Sequence, residues 1–209
     1  MYPDAVVHGL DSSPEMLDQA RSQPVEVDWR LEDLRDWRPE RPADLIFSNA
    51  ALHWAPDHAT LFPRLAAALA PGGVLAVQMP MAAETRHHGL LRDVAAQGPW
   101  AAELSAVGAM APLLPVEVYY AVLARECAVD IWRTTYLHVL RGPDAVLEWM
   151  SGAALRPYLT ALQADEPRKR AFLSELGARL NAAFPPGADG ATLLPFPRLF
   201  LTARRGDGA

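Results

Sequence analysis

Three polar side chains stand where strand-like runs of this chain end. Asp11 closes Val6-Val7-His8-Gly9-Leu10, Asp33 follows a run over residues 25–31, and Asn49 closes Ala43-Asp44-Leu45-Ile46-Phe47-Ser48. A carboxylate in the position of Asp11, with Ser12 beside it, can accept hydrogen bonds from both hydroxyls of a ribose. The plainer alternative is an acid that favours the positive end of the helix after it. Asp33, with Leu34 next to it, could reach an adenine amino group, and the two acids together point to an adenosine. Met16 fits an adenine face or an ordinary core equally well. Asn49 is followed by Ala50 and Ala51, small enough to let the backbone approach a ligand closely. Trp54 could flank a cation through its ring face or pack in the core, and His53 reads as a structural histidine.

The elements that must position these groups alternate between strand and helix. Ser13 and Pro14 open a helix with Met16, Leu17 and Ala20 on its apolar face. Asp57 opens a second, whose Leu61, Leu65, Ala68 and Leu69 share a face and which Pro71-Gly72-Gly73 ends. Residues 74–79 then read as a buried parallel strand. This alternation predicts an α/β fold with a Rossmann-like, doubly wound, mainly parallel sheet that carries ligand groups at the carboxyl ends of its strands. From about residue 82 to 128 the chain reads as helices, broken at Gly98-Pro99-Trp100 and Pro112-Leu113-Leu114-Pro115, hence a helical lid inserted into a single domain spanning 1–209. The alternating runs 129–136 and 196–204 predict a late antiparallel strand pair.

Composition narrows the function classes. The chain has 209 residues, 51% hydrophobic and 21% charged, as in soluble globular proteins. A net charge of −6 argues against a nucleic-acid footprint. No apolar run is long enough to span a membrane and no signal peptide is evident, so a cytoplasmic protein is expected. Cys127 is the only cysteine, which leaves no intrachain disulfide and no cysteine-based metal cluster. Of 19 basic residues only Lys169 is a lysine; arginine suits bidentate carboxylate recognition, and a GC-rich genome is the plainer explanation.

The strand-ending acid and amide, with the Pro-Gly-Gly turn, resemble the cofactor edge of class I S-adenosylmethionine (SAM) methyltransferases. The segments Gly9-Leu10-Asp11-Ser12-Ser13-Pro14-Glu15-Met16-Leu17, Asp44 through His58, Gly72 through Pro80, Val129 through Tyr136, Leu155-Arg156-Pro157-Tyr158-Leu159 and Phe196-Pro197-Arg198-Leu199-Phe200 resemble the trans-aconitate 2-methyltransferase family. The resemblance implies SAM as cofactor, held by Asp11, Ser12, Met16, Asp33, Leu34, Asn49, Ala50 and Trp54. It implies methyl transfer to a carboxylate of trans-aconitate or a similar small polycarboxylate. A carboxylate is already a nucleophile at neutral pH, so neither a general base nor a metal is required, and proximity and orientation carry the catalysis. An anion with three carboxylates calls for Arg, Tyr and His donors. The candidates are Arg156 with Tyr158, Arg133 with Tyr136, His58, Trp54 and Arg198. A monomer is expected.

In the family a glycine-rich strand and turn precede the segment that begins at Val6, and nothing ahead of Val6 matches it. The first central strand is therefore expected to be missing, with its two neighbours deprived of a shared pairing partner. Three other readings stay open: a degenerate methyltransferase-like scaffold, a methyltransferase for another small metabolite, and a nicotinamide-dependent oxidoreductase. The last is disfavoured by the Pro-Gly-Gly turn and the late strand pair.

Overall fold

The structure is a computed structural model and describes residues 4–107 and 111–207. The first unit is small: β1 (His8–Asp11), α1 (Pro14–Arg21) and β2 (Asp28–Leu31), with the two strands parallel and Asp11 opposite Leu31. Helix α1 begins as its sequence requires. Ser13 accepts a hydrogen bond from the Met16 amide, Pro14 takes the first turn, and Leu17 is buried.

The second sheet has the order β3-β4-β6-β5. Strand β3 (Ala43–Asn49) leads through the short 3₁₀ turn Leu52–Trp54 into α2 (His58–Ala67), and β4 (Leu69–Pro80) returns parallel to β3. Among the described residues no strand pairs with both β1 and β3 to join the two sheets. The doubly wound sheet expected from the sequence is thus divided into a parallel pair and a mixed four-stranded sheet.

Asp57 precedes α2 but makes no side-chain cap; its backbone is left-handed, with φ at 52°. Strand β4 starts earlier than the sequence suggests. Leu69 already pairs with Ala43, and the register then jumps to Leu45 opposite Val74, leaving Pro71-Gly72-Gly73 as a bulge. Gly72 takes φ of +74°, and a Cβ on Gly73 would lie 2.8 Å from the Ala43 carbonyl oxygen.

Three helices follow: α3 (Arg86–Ala95), α4 (Ala101–Leu104) and α5 (Val116–Leu123). They were expected to act together as a lid, yet they serve two different cores. Helix α5 packs on α2 and contributes Tyr119 and Leu123 to a core with Phe62, Leu65, Leu75, Met79 and Leu201. Helix α3 joins a second core together with α6 (Ala145–Ser151), α7 (Arg156–Ala161) and α8 (Glu166–Ala183).

Strands β5 (Cys127–Arg141) and β6 (Ala191–Arg205) form an antiparallel ladder of 15 residues each, while β6 also pairs antiparallel with β4. Because side chains alternate along a strand, β6 supplies both cores from opposite faces. Leu199, Leu201 and Ala203 enter the first, and Leu194 enters the second.

Where β5 and β6 meet the second core, aromatic rings and histidines gather. His87 lies 5.6 Å from Trp149 and 5.8 Å from Phe196, and His138 lies 5.2 Å from Trp149. His87 is 1% exposed. Its Nε2 and the Nδ1 of His88 both reach the Thr85 hydroxyl, at 3.2 and 3.0 Å. No carboxylate pairs with either ring among the described residues. Burial pushes His87 down to about 3 and His88 down to about 4, with neighbouring His88 and Arg92 charges adding respectively.

Candidate active site

Register places a row of residues across the open face of the larger sheet, at the carboxyl ends of β3 and β4. Asn49 pairs with Gln78, Gln78 with Phe200, and Phe200 with Trp132. The next row holds Pro80, Arg198 and Thr134. Trp132 and Phe200 stack at 5.2 Å. Arg198 is flanked by two rings, with its Cζ 5.5 Å from the Tyr136 centroid and 4.7 Å from that of Phe196. One guanidinium nitrogen donates to Gln78 Oε1 at 3.3 Å.

Three further nitrogens of this cluster lack partners among the described residues. Arg198 Nε, Gln78 Nε2 and His53 Nδ1 are buried and without a hydrogen bond among the described residues. Gln78 is only 7% exposed. Buried donors left unpaired cost stability, so a native cluster of them calls for an explanation. Burial lowers the Arg198 guanidinium from its usual value, but an arginine remains charged. Burial, with Arg198 and His58 adding, pushes His53 down to about 4, so its imidazole is neutral near pH 7.

The turn that carries His53 is held from both sides. The Ala50 amide donates to the Gln78 carbonyl at 2.9 Å, with Ala50 left-handed at φ 53°. From below, His58 is buried; its Nε2 donates to the Leu52 carbonyl at 2.9 Å, and its Nδ1 shares a hydrogen bond of 2.6 Å with the Tyr119 hydroxyl. Tyr119 accepts in turn from the Leu114 amide at 3.3 Å. A chain of hydrogen bonds therefore ties α5 and α2 to the turn beside the site.

The expectation that His58 meets a substrate does not fit this geometry, because both ring nitrogens are engaged inside the core. Tyr158 is likewise buried in the second core, 6.2 Å from Phe172. Arg156 is exposed at the start of α7 and lies near Glu15, whose carboxyl is lowered first by the Ser13 hydroxyl and to a smaller degree by Arg156. Arg133 and Tyr136 stand three residues apart on a strand and so face opposite ways. Tyr136 joins Arg198, whereas Arg133 pairs with Leu199 on the other face.

Of the candidate cofactor groups, Asp11 ends β1 exposed, with Oδ1 accepting from the Ser13 amide at 2.8 Å and Oδ2 without a hydrogen bond among the described residues. Ser12 and Met16 are exposed beside it. Those groups fit a ribose and an adenine face. Asp33 is more committed. Arg35 grips its carboxylate and lowers it to about 2, which leaves less of it for an adenine amino group. Leu34 faces the first core, and its carbonyl accepts from Arg64 at 2.6 Å, which clamps this turn onto α2. Trp54 is 63% exposed and leans on His53 at 4.7 Å.

Sequence reasoning passed over Gln78 and discounted His53. The available signal was a lone amide in the apolar run Val74-Leu75-Ala76-Val77-Gln78-Met79, at the point where the strand ends.

Residues 1–73 match the model of a methyltransferase domain family. The chain is 48% identical over 205 residues to a trans-aconitate 2-methyltransferase of Azoarcus sp. strain BH72, an alignment covering 98% of this chain and 79% of that protein. It is 50% identical over 206 residues to the enzyme of the same name from Methylobacterium nodulans, with the same coverage. Among solved structures, the YcgJ protein of Bacillus subtilis superposes with a TM-score of 0.58 at 13% identity, covering 97% of this chain and 83% of that one, a likeness of fold alone. No helix among the described residues is long and apolar enough to cross a membrane. With strand-end ligand groups on a mixed α/β sheet and near-half identity along almost its whole length, the chain has the class I methyltransferase fold and belongs to the trans-aconitate 2-methyltransferase family.

Proposed function

We propose that this protein transfers a methyl group from SAM to a carboxylate of trans-aconitate, giving a monomethyl ester. The observation that carries the reading is the buried Arg198–Gln78 pair with unpartnered donors at the strand ends, in a chain of this family. When bound, SAM supplies an electrophilic methyl on a sulfonium centre. Asp11, with one oxygen free at the end of β1, would hold the ribose, Ser12 and Met16 would border the adenosine, and Asn49 and Ala50 would border its methionyl end.

The protein has no proton to remove, because the nucleophile is already an anion. Its task is to bring the carboxylate oxygen into line and to keep water away. Arg198, braced between Tyr136 and Phe196, anchors the anion. Trp54 at the rim and Trp132 stacked on Phe200 supply apolar walls. This reading has the protein act in the cytoplasm as a monomer on a small molecule, without nucleic acid; the net charge of −6 supports only the last of these.

The test is incubation with SAM and trans-aconitate followed by mass spectrometry. A product one methyl heavier, formed with stoichiometric S-adenosylhomocysteine, is expected. Binding of S-adenosylhomocysteine without any ester from trans-aconitate would refute the substrate assignment.

A further inference from the structure

We infer that Arg198 grips a carboxylate that does not react, while the amide donor Gln78 Nε2, with His53 beside it, holds the one that does. The inference rests on the polycarboxylate reading above and adds a division of labour within its site.

Methyl transfer extinguishes the charge of the nucleophile: the carboxylate oxygen forms a bond to carbon as the sulfur–carbon bond breaks, and the electron pair of that bond returns to sulfur. A cation paired directly with the reacting oxygen therefore stabilises the starting anion more than the transition state and slows the step. The same cation on a remote carboxylate binds ground and transition states alike and serves for positioning.

The cluster is built to separate the two tasks. Arg198 stands one row beyond Gln78 toward the strand ends, opposite Pro80, and two ring faces hold its plane. Its bond to Gln78 uses the amide oxygen, so the amide nitrogen is turned away from the guanidinium as a free, neutral donor. His53 lies close enough to feel the Arg198 charge, and the backbone bond from Ala50 to Gln78 fixes its turn against the same strand. One fixed cation thus adjoins an uncharged amide donor and the imidazole of His53, all three with buried, unpartnered nitrogens among the described residues.

The experiment compares kcat and KM for trans-aconitate in the protein and in Arg198→Met, Arg198→Lys and Gln78→Leu. Binding of S-adenosylhomocysteine and near-UV circular dichroism report whether each variant is intact. Losing a charge-assisted hydrogen bond should raise KM about 100-fold in Arg198→Met, with kcat at saturation held within about threefold. Arg198→Lys keeps the charge without the fork and should raise KM about tenfold, which also covers the case in which the methionine variant fails to fold. Gln78→Leu should lower kcat about tenfold with a smaller change in KM. A change in kcat of more than about threefold in either intact Arg198 variant, an unchanged KM in both, or an unchanged kcat in intact Gln78→Leu overturns the assignment. Absence of ester from the unmodified protein is a different result, which removes the substrate reading and this inference with it.

Discussion

The buried histidine pair at the start of α3 makes a definite demand on stability. Both His87 and His88 stay neutral in the folded protein to well below pH 5, whereas in the unfolded chain each takes a proton near its ordinary value of 6.5. Their stabilising contribution is therefore complete above pH 6.5 and is lost as pH falls from there toward about 4 and then about 3. At pH 5.0 both rings are unprotonated in the folded state and almost fully protonated in the unfolded one. The gap of roughly 1.5 units below the ordinary value then costs about 2 kcal/mol per ring, or about 4 kcal/mol for the pair. The depth of the depression hardly matters, provided that both values lie below 5. The perturbation is the double variant His87→Gln and His88→Asn, whose amides stand in for Nε2 and Nδ1 at the Thr85 hydroxyl. Urea unfolding at pH 7.5 and 5.0, followed by tryptophan fluorescence, gives the loss of stability for each protein. The loss should be smaller by about 4 kcal/mol in the variant, and by about 2 kcal/mol in either single variant. Carboxylates elsewhere contribute equally to both proteins and cancel. An equal loss in both would refute the reasoning, since it would mean that the rings are solvated or paired.

Other consequences are open to direct measurement. Asp11→Ala should weaken SAM binding by about 1.5–3 kcal/mol in isothermal titration and leave KM for trans-aconitate nearly unchanged; equal affinity would remove Asp11 from the site. Tyr119→Phe leaves His58 Nδ1 and the Leu114 amide without their partner in a buried place, and should cost about 1–3 kcal/mol in urea unfolding. It should also lower kcat by loosening the turn that carries His53, and a variant as stable and as active as the parent would sever α5 from the site. Gly73→Ala drives a Cβ against two backbone carbonyl oxygens, at 2.8 and 2.9 Å, and should destabilise by about 1–3 kcal/mol; an unchanged melting temperature would show that the bulge gives way freely.

The parts of the fold governed by local rules were legible in the residues. Ser13 and Pro14 set the start of α1, and the polar ends of β1 and β3 stood out against apolar runs. The parts governed by pairing were not. Nothing near Leu69 announces that it will lie beside Ala43, and the ladder beyond Tyr136 reaches Arg141 only because Ala191 arrives opposite it. The site divides in the same way. Arg198 and Tyr136 meet through a register between strands about sixty residues apart in sequence. Two expected pairs could have been dismissed by geometry alone. Arg133 and Tyr136 are an odd number of residues apart on a strand, and Arg156 and Tyr158 are two apart on a helix, where side chains do not face each other. Gln78 was visible but not weighed, because one amide in a strand has no meaning until its cross-strand neighbours are known.

Strand β6 lies between β4 and β5, and it is the last of the three to be synthesised. When β4 leaves the ribosome its inner edge has no partner, and more than one hundred residues must follow before Ala191 appears. At about 5–20 residues per second that interval lasts on the order of 5–20 seconds. During it an apolar strand with open hydrogen-bonding groups is exposed to other nascent chains. The helices between β4 and β6 can form locally in that time, but the sheet closes in a single late event with high contact order. The row that joins Asn49, Gln78, Phe200 and Trp132 is completed in the same event. Closure of the fold and assembly of the site are therefore one step, and a nascent chain stalled before β6 would carry a formed β3–β4 pair but no Arg198 beside Gln78.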